Sequence, residues 1–554
     1  MVDANKMLNR KGMGKVFKEI DEANKPKLNI DSLCSRRSKA KSNLDMWRSL
    51  LETAYHYTLP DFNPFENYGK GGLETPGQQY DSDIYDNTLP IAHKRLADKM
   101  LMNMVPQGTQ WVQFKPGDEF GDPDSALYEK ALVETQKMTD QFFKILDRSN
   151  FYLAVREGLD HALISTGVIA ACEGTKSDPV YFEAVPDSQV YLEGNARGGI
   201  EALFRDWEKV RVDFIKTLWP DAKLDAISNK KDDDTVALWE MAYIDRSATD
   251  KNKYRYVVMT DAKEVILDQS QASWPWIIFR MGKLAGEARG RGPSLQAWVT
   301  AATINKAIED ELIAAAFTAN PMWMAASDSA FNPDTFEPHP GNVIPVQMVM
   351  GQWPIQPLVA GGNIQFNALL VNDFRQQIND MLYAFPLGGV NAPDRTATEA
   401  QIRFTENLES FSAMVPRLQN EFFIPMIKRI LWVINKVVPE TFGDIDPAIK
   451  DKMLSVDGQI LSLSFETPLM TAKGQIKTQN LLNFYQSVAS VLGQEAASAA
   501  LNPPNVITSL AENQNVEMSN VRNKEELEAI TQAAGQVATQ MAQDQGLAPD
   551  APVE

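Results

Sequence analysis

The sequence predicts an α+β protein, mainly helical, with an antiparallel β-rich region in its first half. Three observations carry this. Apolar residues recur at helical spacing along 295–316, 366–385 and 404–437. Residues 167–281 alternate apolar and polar in short runs punctuated by turn signals. Between the first two helical stretches lies a Pro- and Gly-rich insertion, 322–362, with short apolar runs such as Val343-Ile-Pro-Val346, so that a small strand-and-turn unit joins two helices into one long hairpin.

Residues 1–30 are polar and basic (Lys6, Arg10, Lys11, Lys15, Lys18) and are expected to be mobile or to dock on a partner. A helix is predicted from Asp31-Ser32 to Leu59-Pro60. Its cluster Arg36-Arg-Ser-Lys-Ala-Lys41 reads either as a nucleic-acid patch or as a solvated helix face, the commoner use of such a run. After a loop over 61–79, Asp86-Asn-Thr88 precedes a helix carrying Ile91, Leu96, Met100 and Met104, which Pro106 stops. Trp111-Val-Gln-Phe114 then alternates like a strand. A helix over 125–149 presents Leu132, Met138, Phe142, Phe143 and Leu146 on one face, and another over 152–166 leads into Gly167. The strands that follow, at 180–185, 190–192, 200–207, 236–244, 254–259, 264–267 and 276–281, are expected to form one twisted antiparallel sheet. Lys230-Lys-Asp-Asp-Asp234 reads as an exposed turn, because no further ligands converge on its acidic triplet at a metal-binding spacing.

Gly286 to Gly292 is expected to act as a hinge between sheet and helix, with Gly290 and Gly292 beside Pro293, a residue the first helical turn tolerates; a phosphate-loop fragment is the alternative. Asn320-Pro321 ends that helix. Trp323, Met324 and Trp353 read as packing residues of the insertion, with a ligand pocket as the other reading. Gly388, Gly389 and Pro393 keep 387–395 from being helical throughout, and Thr396 with Glu399 has capping-box spacing for a long helix. That helix would span about 60 Å and should kink at Pro416 and Pro425. A strand at 460–465, amphipathic helix over 471–492, Gln- and Ala-rich helix over 524–541 and disordered tail over 542–554 complete the chain.

Several of these segments together resemble one family, the head-to-tail connector, or portal, proteins of short-tailed (podovirus-type) bacteriophages. The resemblance rests on an ordered series: Gly290-Arg-Gly-Pro-Ser294, Asn320-Pro321, Pro357-Leu358 with Gly361-Gly-Asn-Ile364, Arg395-Thr-Ala-Thr-Glu-Ala400, Arg403-Phe-Thr-Glu406, and Val415-Pro-Arg-Leu-Gln419 with Glu421 and Pro425-Met426. It implies a portal fold with a wing over 31–288 and 397–470, stem helices over 289–320 and 366–386, a small β-containing clip over 321–365, a tunnel loop over 387–396 and a helical crown over 471–541. It further implies a ring of twelve copies at one capsid vertex, through which double-stranded DNA is packaged and ejected. The partners implied are the major capsid protein, terminase, a tail or adaptor protein, and internal core or scaffolding proteins. Asn391, Asp394 and Arg395 would then line the DNA channel, Trp323, Met324 and Trp353 would lie at the subunit and clip interface, and Gly290, Gly292, Gly388 and Gly389 would be hinges.

Composition is compatible with a conduit. At a formal net charge of −19, the chain is a poor candidate for gripping nucleic acid over most of its surface, which requires many Lys and Arg on phosphates. With 44% hydrophobic residues in 554 it can bury several cores. No apolar run is long enough to cross a bilayer, and the chain is expected to be soluble and, before incorporation into a virion, in the host cytoplasm. Two cysteines and four scattered histidines offer neither a disulfide framework nor zinc spacing, so no cofactor or structural metal is expected. No phosphate-binding loop, nucleophile elbow or metalloprotease motif is present. A structural, non-enzymatic ring is the preferred reading, and a phage nucleic-acid enzyme or motor component is the alternative.

Overall fold

The structure, a computed structural model, describes residues 28–65, 83–117, 126–223, 230–246, 253–319, 323–325, 355–357, 364–383, 414–442 and 461–465, with a few helical positions between 483 and 490. Helix α1 (Ile30–Thr58) is capped by Asn29, whose side chain accepts from the Ser32 N–H at 3.1 Å, and it stops two residues before Pro60. Helix α2 (Thr88–Met104) begins where Asp86 Oδ1 accepts the Thr88 N–H and ends ahead of Pro106. Strand β1 (Val112–Pro116) and helices α3 (Ala126–Arg148) and α4 (Phe151–Ile164) follow. The corner between α3 and α4 is pinned by Asn150, which donates to the Phe182 carbonyl and accepts from its N–H.

The β region comprises β2 (Gly167–Glu173), β3 (Val180–Ala184), β4 (Val190–Gly194), β5 (Ile200–Arg211), β6 (Thr235–Ile244), β7 (Tyr254–Thr260), β8 (Val265–Gln271) and β9 (Trp276–Phe279). A short helix, α5 (Val212–Leu218), follows β5 and was not expected from periodicity. Instead of one sheet there are two, both antiparallel: β3-β2-β9 and β4-β5-β6-β7-β8. The chain leaves β8 and returns to β2, pairing Val168 with Ile278 rather than extending the larger sheet. The reason lies in composition: Gly167–Ala171 and Trp276–Phe279 are buried at every position, as strands covered on both faces must be.

That double burial makes four layers. Ile169, Ala171, Ile277 and Phe279 face a helical layer, whereas Val168, Ala170, Trp276 and Ile278 face the five-stranded sheet. The far side of that sheet, with Tyr191, Phe204, Met241 and Val257, is covered by α1. The basic cluster on α1 is accordingly neither a nucleic-acid patch nor a simple solvated face. Arg36 pairs with Glu193 at 2.7 Å, and Arg37 pairs with Asp206 and lies 4.1 Å from the Trp239 ring centre, tying the helix to the sheet.

Helix α6 (Pro293–Ala319) and helix α7 (Ile364–Met381) pack together, and their connection carries β10 (Trp323–Ala325) paired antiparallel with β11 (Ile355–Pro357). Helix α7 ends five residues short of the predicted Pro386. Its last turn closes through the Leu382 N–H on Ile378, and Tyr383 adopts φ 50°. The middle of the hairpin is strapped to the segment before α2: Asn305 accepts the Tyr85 N–H at 2.6 Å and donates to the Asp83 carbonyl at 2.8 Å, while Arg375 pairs with Asp86 at 2.7 Å.

The described part of the long helix is α8 (Val415–Leu418), a π segment (Gln419–Phe423) and α9 (Ile424–Val437). Of the two prolines expected to kink this helix, Pro416 lies on α8 close after residues outside the described ones, so only the neighbourhood of Pro425 is described on both sides. Pro425 is preceded by the π segment, whose widened turn closes through the Ile424 N–H on the Gln419 carbonyl. Strand β12 (Leu461–Phe465) pairs antiparallel with β1, matching Val112 to Phe465. Most of the predicted crown, residues 471–541, and the terminal segments 1–27 and 542–554 lie outside the described residues.

Trp111, fully buried, gathers this helical layer. Its ring lies 5.3 Å from that of Phe143, 5.6 Å from Phe423 of the π segment and 6.3 Å from Phe151. Trp111→Ala should cost about 3–5 kcal/mol, measured as a drop in the urea midpoint, whereas Trp111→Phe should retain most of the stability.

Candidate functional site at the base of the helical hairpin

Between β9 and α6 the chain passes under the end of α4, and three of its N–H groups are used on the way. Arg291 N–H donates to the Gly282 carbonyl at 2.8 Å, Gly290 N–H to Thr166 Oγ1 at 3.0 Å, and Gly292 N–H to the Ile164 carbonyl at 3.0 Å. A Cβ at Gly290 would lie 2.2 Å from the Ser165 carbonyl oxygen, and one at Gly292 would lie 1.9 Å from that of Leu163. Glycine is therefore required here by close backbone approach. The pair does join sheet to helix, but in a braced crossing. The phosphate-loop alternative fails on the same ground, since the N–H groups that would cradle an anion are already donated inward.

Three arginines hold the surroundings. Arg289, 5% exposed, pairs with the fully buried Asp187 on the turn before β4 and donates to the Val190 carbonyl. Arg280, at the end of β9, grips Glu421 of the π segment through both carboxylate oxygens at 2.6 and 2.9 Å, and donates to the Ala288 carbonyl at 2.7 Å. One guanidinium thus links sheet, crossing and long helix in a two-pronged geometry available to Arg and not to Lys. Arg429 of α9 is buried against neutral oxygens, donating to Ala171 at 2.9 Å, Gln271 at 2.8 Å and Ser273 at 3.2 Å. Burial holds its guanidinium below the usual value.

Two histidines that look scattered in sequence approach the same joint. His93 of α2 contacts Ser294 Oγ in the first turn of α6 through Nδ1 at 2.8 Å and Asp160 of α4 through Nε2 at 3.2 Å. His161 of α4 contacts the Tyr55 hydroxyl of α1 through Nδ1 at 2.8 Å. Ser294, His93 and Asp160 have the composition of a nucleophilic triad, but serine and acid occupy the opposite ring nitrogens to those of a serine hydrolase. Ser294 and His93 are also fully buried, so no substrate carbonyl reaches them. Burial likewise pushes the Cys172 thiol up to about 12, away from thiolate chemistry. Among the described residues no group of three or more His, Cys, Asp or Glu is placed to hold a metal ion, and Asp232 and Asp233 of the acidic turn pair with Lys216 and Arg211 at 2.6 and 2.9 Å.

Of the residues singled out from sequence, Gly290, Gly292 and Glu421 meet at this joint. Trp323 and Met324 lie on β10, remote from it in sequence and matched to Pro357 and Gln356 of β11. Trp353, Gly388, Gly389, Asn391, Asp394 and Arg395 lie outside the described residues. Sequence reasoning missed Arg280, Arg289, Arg429 and the two histidines. The available signal for Arg289 was its place directly before the Gly290-Arg-Gly292 run.

A comparison with curated protein sequences finds no match. Among solved structures, the chain overlaps one from the neck of an empty gene transfer agent particle, at a TM-score of 0.32 and 10% identity, over 72% of this chain and 89% of that one. It also overlaps one from the virion of a native gene transfer agent particle, at the same score and identity, over 76% and 93% of the two chains. The family model described as bacteriophage head to tail connecting protein matches residues 31–521. That span takes in every element from α2 to β12, including the Gly290–Gly292 crossing and the Glu421-bearing π segment, and the chain belongs to the bacteriophage head-to-tail connecting protein family.

Proposed function

We propose that this chain is a portal subunit: twelve copies form a ring at one capsid vertex of the virion, through which the genome is packaged and ejected and on which terminase and tail or adaptor proteins dock. The family match over 31–521 carries the reading. In this ring the α6–α7 hairpin is the stem, the insertion bearing β10 and β11 is the clip, the layered body is the wing and residues 471–541 form the crown, facing internal core or scaffolding proteins. The loop 387–396 faces the channel, where Asn391, Asp394 and Arg395 form a nearly charge-balanced collar suited to brief phosphate contact.

The hairpin supports such an assembly. Helix α6 runs about 40 Å, and Val299, Leu312 and Ile313 on it are exposed, as are Leu369 and Leu370 on α7. A helix apolar on more than one side is one that expects a second covering surface. The acidic balance, −19 overall, suits a wall past which DNA slides. A role without catalysis is supported by the inaccessibility of Ser294 and His93 and by the prior use of the crossing's N–H groups.

Negative-stain images and solution mass of the purified full chain should show rings. Leu312→Asp with Ile313→Asp, and separately Trp323→Ala with Trp353→Ala, should shift the mass toward monomer on dilution; unchanged rings in both would remove hairpin and clip from the interface. In a packaging assay, assembled rings carrying Asn391→Ala with Arg395→Ala should package or retain less full-length DNA. Normal packaging would remove the loop from the mechanism.

A further inference from the structure

The geometry points to an acid-sensitive latch at the base of the stem hairpin, in which neutral His161 and His93 hold α1, α2 and α4 to one another and to the first turn of α6, and protonation of either loosens the joint. This inference rests on the described joint and does not depend on the ring.

The Tyr55–His161 contact sets the sign. Tyr55 is fully buried and its hydroxyl, pushed well above its ordinary value by burial, keeps its hydrogen, which the bare Nδ1 of a neutral His161, 2.8 Å away, is placed to accept. Protonated His161 would present Nδ1–H instead, and Tyr55 would have to accept, turning its own hydrogen toward surroundings that include the Phe65 ring at 5.5 Å. The groups facing His161 are Tyr55 on α1, Asp187 on the turn before β4, Asp160 on its own helix and His93 on α2. The two carboxylates favour the charged ring, His93 opposes it, and burial outweighs all of them, holding the imidazole below its ordinary value.

His93 is set the same way. Fully buried, it faces Asp160 and Arg156 on α4, Lys94 on its own helix and the Ser294 hydroxyl on α6. Asp160 favours the charged ring but is itself engaged by Arg156, which also pairs with Asp98 at 2.5 Å, and burial prevails downward again. A proton on His93 further disfavours one on His161. In the opened chain both rings return to an ordinary value of about 6.5. Above that pH neither state binds a proton. As pH falls below it the open form takes up protons that the closed form refuses, so closure weakens by up to about tenfold for each histidine between pH 7.5 and 5.5.

Hydrogen exchange of the full chain at pH 7.5 and 5.5, corrected for the intrinsic rate, reads this directly. Protection of amides in 155–165 and 293–300 should fall by roughly tenfold to a hundredfold, while amides of β6 and β7 in the five-stranded sheet keep theirs. His161→Gln and His93→Gln, each able to accept the same hydrogen bond without titrating, should each remove about tenfold of that pH dependence; should one variant fail to fold, the other and the wild-type profile decide. Wild-type protection at the joint that is flat with pH, equal loss in the sheet, or an unaltered pH dependence in the variants would overturn the latch.

Discussion

The passage of residues 289–292 beneath the end of α4 is the contact on which the rest of this structure depends. It brings backbone within a distance that no Cβ tolerates, and it does so where the sheet region hands the chain to the hairpin. Once the backbone is that close, Arg289 and Arg280 are carried into the interior and must be neutralised there, because an unpaired buried charge costs several kcal/mol. Asp187 and Glu421 supply that neutralisation from opposite sides, one from the β region and one from the long helix. The hairpin is thereby referenced at once to the β region and to the long helix.

The π segment belongs to the same economy of contacts. Pro425 deprives the long helix of one N–H, and the widened turn before it absorbs that loss while presenting Glu421 to Arg280 and Phe422 and Phe423 to the aromatic cluster around Trp111. A sequence feature that reads locally as a helix breaker thus becomes the point where the long helix is fastened. Strand β12, pairing with β1, closes the layer from the other end of the chain.

Helices were legible because their periodicity is local: α1, α2, α3, α4 and α6 start and stop within two residues of where apolar spacing, with caps and prolines for α1, α2 and α6, puts them. The strands were legible singly, yet their division into two sheets was not, since pairing between β9 and β2 is a long-range choice that alternation does not encode. The unbroken apolar runs Gly167–Ala171 and Trp276–Phe279 were the available clue to a layer covered on both faces. At the joint, the glycines and Glu421 stood out in sequence, and Arg289 was marked only by its place before the glycine run, whereas Arg280 and Arg429 could not be told from surface arginines before the fold gave them partners. His93 and His161, far apart in sequence, reach the same joint because α2 and α4 pack side by side.

The most direct test of this account is the Gly292→Ala substitution, followed by unfolding and by hydrogen exchange of the first turns of α6. Because the added methyl meets the Leu163 carbonyl rather than a movable side chain, the crossing should be forced apart. Stability should fall by about 1–3 kcal/mol, with early loss of protection at residues 293–300. An unchanged midpoint and unchanged protection would contradict the claim that close backbone passage anchors the hairpin to the layered body.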